Sequence, residues 1–195
     1  MIFIGVSIMT IILNSTPTAL WYDIIHDAEA TCAITLKQEL ESYLVLLLTR
    51  YTNQPDVVKS IMATEFLAGV KLTHKQREAA LHEVGDKCLI ITGLFPKMAE
   101  KRLVKISYFV NIGRTAYSTV SQNNTDLYSS LARHFVPLMD ILQSIRRYAK
   151  EYPDLLPLQA YELWNETGSQ RALNVLKQYT AAVPVGIELE RFDKR

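Results

Sequence analysis

Apolar residues in this chain recur every three to four positions over most of its length, and no stretch sustains the two-residue alternation of a strand. A chain patterned this way buries its apolar stripes by packing helix against helix. Glycine and proline number seven each in 195 residues, and the prolines stand where helices should begin. Short connections between helices favour antiparallel neighbours, so the predicted fold is all-α, an up-and-down helical bundle of about five main helices plus a short C-terminal helix pair. No internal repeat with a period of roughly 20–50 residues interrupts that reading.

The first helix is expected to start at Ser15-Thr16-Pro17, a capping hydroxyl followed by proline, and to run unbroken to Thr52. Trp21, Ile25, Ala28 and Cys32 form one stripe, continued by Leu36, Leu40, Tyr43 and Leu47, with a bend expected near Thr31–Thr35. Tyr43–Leu48 is apolar all round, which marks it as the expected centre of the bundle. A second helix spans Pro55 to Val70, and Thr73 with Gln76 forms a capping box for a third. Its seam is Leu81, Val84, Cys88 and Ile91, and it ends near Gly93.

Pro96 opens a fourth helix through Ala99, Leu103, Ile106, Val110, Gly113 and Tyr117. Gly113 in mid-helix costs about 1 kcal/mol against alanine, so a close helix–helix approach is expected there. Tyr108 and Ile112 make a second apolar strip on the same helix, a surface for self-association. Thr125 caps the fifth helix, which Pro137 should kink near Arg133–His134. Short helices over 157–167 and 169–180 follow, separated by Gly168. The domain expectation is an apolar extension over 1–14, one helical domain over 15–182 and a tail over 183–195.

The extension MIFIGVSIMTIIL is shorter than the roughly 20 residues that a helix needs to span a bilayer. It also lacks the basic start and small-residue cleavage site of a signal peptide, and Met9 offers an alternative translation start. Membrane association is therefore expected only through residues 1–13. With a formal net charge of +1 there is no basic excess for nucleic acid. Cys32 and Cys88 are far apart and each lies in a helical pattern, which reads as two reduced, buried thiols in a cytoplasmic protein.

Histidine and carboxylate pairs on one helical face are the candidate ligand-binding residues: Asp23, His26 and Glu29 on the first helix, His82 and Asp86 on the third. At 100° per residue, Asp23 and His26 fall roughly 140–200° from the inward stripe, so they should face solvent. His82 and Asp86 sit on the flank of their seam, where such a pair is an ordinary contact. Lys97, Lys101, Arg102 and Lys105 make a basic ridge, the candidate site for an acidic partner. No nucleophile elbow, Walker loop, dinucleotide-binding loop or zinc-protease motif is present. No catalytic residue, metal site or cofactor is predicted. The leading expectation is a non-enzymatic regulatory or assembly protein that works through protein–protein contacts, including self-association. The alternative is a metal- or small-ligand-binding bundle using the polar residues of the first and third helices.

Overall fold

The structure, a computed structural model, describes residues 16–52, 62–97, 104–121, 126–148 and 155–180. The described residues form nine helices and no strand, so the all-α class is what the pattern predicted. The expected extension, tail, Thr125 cap and Pro55 helix start fall outside these residues.

Helix α1 spans Pro17–Cys32 and α2 spans Gln38–Thr52. Thr16 caps α1 as expected, its hydroxyl accepting the Ala19 N–H at 3.2 Å. The single helix expected over this stretch is instead two. Ala33 takes a left-handed conformation (φ 54°), and the Ile34 N–H bonds back to the Glu29 carbonyl at 3.0 Å. β-branched Thr31, Ile34 and Thr35 weaken the helix here, and the Glu29 carboxylate accepts the Leu36 N–H at 2.7 Å, stabilising the turn. The break lets α1 and α2 pack on each other while α1 also lies on α7.

Helix α3 (Met62–Lys71) leads into α4 (His74–Leu94), the longest helix described. Thr73 is the residue before α4, but its hydroxyl makes no capping bond, so the expected capping box does not form. Over its second half α4 buries Leu81, Val84, Asp86, Cys88, Leu89, Ile90, Ile91 and Thr92, which lie all around its circumference. It packs against α3, α5 and α7. The central helix is therefore α4 rather than the Tyr43–Leu48 segment of α2, where Leu46 remains 69% exposed. An apolar run can be buried on three sides and still leave a leucine in water.

Helix α5 is Ile106–Ser121. Val104 and Lys105 before it are not helical, so the long helix expected from Pro96 does not run through. Close approach at Gly113 is found: a Cβ there would lie 2.4 Å from the Phe135 ring and 2.9 Å from Cys88 Cβ. Helices α6 (Asp126–Arg133) and α7 (Phe135–Tyr148) meet at His134, where the proline-induced interruption was expected. Pro137 has no N–H to offer the Arg133 carbonyl. The His134 ring instead donates through Nδ1 to the Ser130 carbonyl at 2.8 Å.

Helices α8 (Pro157–Thr167) and α9 (Gln170–Tyr179) form the C-terminal pair. Gly168 at φ 74° ends α8, and the Ser169 hydroxyl caps α9 by accepting the Ala172 N–H at 3.0 Å. Ala160, Val175 and Leu176 give this pair a small core of its own. Among the described residues no helix is long and apolar enough to cross a membrane.

Candidate functional site

The densest polar cluster surrounds Asp86, which is 2% exposed. Asp86 Oδ1 accepts the Tyr43 hydroxyl from α2 and the Tyr117 hydroxyl from α5, the latter at 2.8 Å. Oδ2 accepts Arg50 Nη1 at 3.1 Å and lies 3.4 Å from His82 Nε2. Tyr43 Oη is 2.8 Å from His82 Nε2. Because the Tyr43 proton goes to Asp86, His82 must donate to Tyr43 through Nε2. Tyr128 from α6 sets its ring edge-on to His82, with centroids 5.5 Å apart.

Local sequence explains why these groups meet. His82 and Asp86 are one turn apart on α4, so both face the same neighbours. Gly85 lies between them, and a Cβ there would come within 2.5 Å of the Tyr117 ring. The missing side chain is the space in which Tyr117 reaches the carboxylate. Farther out, Arg50 pairs with Glu83, and Lys87 lies 3.0 Å from Glu65 and 3.7 Å from Glu83. Charges alternate in sign outward from the buried carboxylate.

Burial pushes the Asp86 carboxyl above its ordinary range, opposed by His82, the two tyrosine hydroxyls and Arg50. Burial, reinforced by the negative Asp86, drives both Tyr43 and Tyr117 well above the usual phenol range. Both phenols are therefore neutral donors at physiological pH. A general base must reach a substrate proton, and both oxygens of Asp86 are already engaged inside the bundle. The cluster is built to cross-link α2, α4 and α5, with Tyr128 of α6 packed at its edge. Cys88, two residues on and on another face of α4, is also unreactive: burial, with a smaller contribution from Glu65, pushes its thiol up to about 12.

The sequence-derived candidates therefore separate. His82 and Asp86 do come together, but Asp86 is in the core and not on a flank. Asp23 and His26 are exposed, as their helical phase predicted. Glu29 is buried and committed to the turn after α1, with His26 Nδ1 3.4 Å from its second oxygen. Helix α1 packs on α2 and α7, so these residues do not join those of α4. Among the described residues no group of three or more His, Cys, Asp or Glu is placed to hold a metal ion. In the basic ridge, Lys101 and Arg102 lie outside the described residues. Lys97 and Lys105 do not share a helix, and Lys105 is paired with Glu166 of α8.

A third buried acid had no forewarning in the sequence. Asp140 on α7 is 1% exposed; its Oδ1 accepts the Ser169 hydroxyl at 2.6 Å and its Oδ2 the Arg171 N–H at 3.2 Å. It fastens the start of α9 to the bundle. Burial raises its carboxyl as well, against the donors at the α9 start.

Between the start of α5 and α8 lies a cleft of about 260 Å³. Val104, Ile106, Leu155 and Leu163 give it an apolar floor, and Lys105, Gln159, Glu162 and Glu166 line its rim. Burial opposes ionisation of Glu166, but Lys105 and Ser107 outweigh it and hold this carboxyl below its ordinary range. The Ser107 hydroxyl donates to Glu166 at 2.7 Å. Leu156 and Leu158, at the start of α8, are 63% and 68% exposed. No protein-family model, no curated protein and no solved structure matches this chain.

Proposed function

We propose that the protein is a non-enzymatic binding protein, and that it receives an amphipathic, basic segment of a protein partner in the cleft between α5 and α8. The observation that carries this reading is the cleft itself, an apolar floor rimmed by carboxylates, with two exposed leucines following its lining residue Leu155 along the chain. Burying one leucine side chain is worth about 1.5–3 kcal/mol, so the floor and Leu158 would supply the affinity. Charge selects the partner. Lys105 is neutralised by Glu166, while Glu162 makes no ion pair among the described residues. The rim therefore favours a cation, the opposite of the acidic partner suggested by the lysine spacing. Saturation of the Asp86 cluster supports binding over catalysis, and two buried cysteines outside any disulfide support a reducing compartment such as the cytoplasm.

Selection of displayed random peptides against the full chain tests this reading. Enriched peptides should be amphipathic and net positive, and Glu162→Lys or Leu158→Ser should weaken them by about tenfold or more. Acidic or purely polar winners, or binders indifferent to both substitutions, would contradict it. A dimeric mass at micromolar concentration that the same substitutions convert to monomer would identify the partner as a second copy.

A further inference from the structure

Helices α5 and α6 follow one another and pack together, and each presents an arginine and a serine one turn apart to the groove between them. On α5 these are Arg114 and Ser118; on α6 they are Ser129 and Arg133. The spacing mirrors about the connection, so the two serines are the inner pair and the two arginines the outer pair. The groove encloses about 240 Å³, and Ala132 is the fifth residue lining it.

Among the described residues no carboxylate lines this groove and neither arginine has an ion pair. Arg133 makes one local bond, Nε to the Ser129 carbonyl at 3.4 Å, which leaves the outer nitrogens of its guanidinium available. Several cations elsewhere on the described surface do have carboxylate partners: Arg50 meets Glu83 and Asp86, Lys87 meets Glu65, and Lys105 meets Glu166. Two like charges presented to one concave groove repel, and a multiply charged anion between them relieves the repulsion. Guanidinium groups bind such anions through paired N–H donors, and the hydroxyl of Ser129 offers a further donor beside them. A single carboxylate would engage one fork; a tetrahedral dianion has oxygens for both.

We propose that the groove between α5 and α6 binds a phosphate-type oxyanion, either free or as the monoester end of a small molecule. The site is independent of the α5–α8 cleft, which uses the opposite end of α5.

Nitrogen-15-detected titration of the full chain with inorganic phosphate, and separately with glycerol phosphate, tests this directly. Chloride is held constant at physiological strength so that surface screening does not change. The Nε–H signals of Arg114 and Arg133 should shift saturably, with half-saturation at about 1 mM or lower. Tighter binding of glycerol phosphate would identify an ester ligand, and tighter binding of inorganic phosphate a free anion. Arg114→Gln or Arg133→Gln should weaken binding by about tenfold, whereas Lys75→Gln, which removes an equal charge from the start of α4, should leave it unchanged. Both arginines are exposed, so circular dichroism should show the variants folded. Linear, non-saturating shifts would overturn the proposal. So would an equal loss in Lys75→Gln, or binding that survives both arginine substitutions.

Discussion

Asp86 is the residue whose environment most affects stability. Replacing it with alanine strips the acceptor from two tyrosine hydroxyls, one of them on the fully buried Tyr117. At about 1–3 kcal/mol for each orphaned buried group, Asp86→Ala should cost about 2–4 kcal/mol in urea denaturation, and Asp86→Asn, which keeps an acceptor, about 1 kcal/mol. The pH dependence follows from the direction of the shift. Because burial raises the native carboxyl above its unfolded value, the native state holds the proton more tightly. That contribution is complete below the unfolded pKa of about 3.9 and is lost as pH rises through the native value. Over that window the wild-type stability should fall relative to Asp86→Asn, by up to about 1.4 kcal/mol per pH unit. Parallel profiles would mean that Asp86 titrates normally. The i,i+4 spacing of His82 and Asp86 was legible in the sequence. The burial was not, because the tyrosines that make it tolerable come from helices 31 and 43 residues away.

At the scale of helices, glycine sets the spacing around α4. An alanine in place of a mid-helix glycine normally gains about 1 kcal/mol through helix propensity. Gly85→Ala and Gly113→Ala should do the reverse, since their new Cβ atoms would lie 2.5 Å from Tyr117 and 2.4 Å from Phe135. Overpacking of this kind costs about 1–3 kcal/mol, so both variants should unfold at lower urea than wild type. A stabilised Gly113→Ala would show that α5 does not approach Phe135 of α7 and Cys88 of α4 this closely. Gly113 could be read from the sequence because a lone glycine inside a strong apolar pattern needs a reason. The bend expected at Thr31–Thr35 marked the weak point, but the full break at Ala33 was not legible, since it depends on a carboxylate seven residues from the amide it holds. The proline-induced interruption at His134 was legible because the missing N–H of Pro137 is a local, covalent fact.

For the molecule as a whole, one core runs through α1, α2 and α4 to α9, with a small satellite core between α8 and α9. The satellite pair is fastened partly by Asp140 to the start of α9. Asp140→Asn should therefore accelerate amide exchange in α9 by about tenfold or more while leaving α4 the slowest region. Uniform acceleration across all helices would show that the pair does not open independently. The all-α class was legible because period and proline placement are properties of the chain alone. The choice of central helix was not, because burial on every side is decided by neighbours; α4 carries enough charge at its start to read as a surface helix.

The reactive-looking residues of α4 tie helices together, and the proposed basic partner would enter the α5–α8 cleft. A map of amide shifts on adding a selected basic, amphipathic peptide tests both halves at once. The expected shifts cluster at Val104–Ile106 and Gln159–Glu166 and disappear with Glu162→Lys. Shifts centred on His82 and Asp86, unchanged by that substitution, would contradict the account.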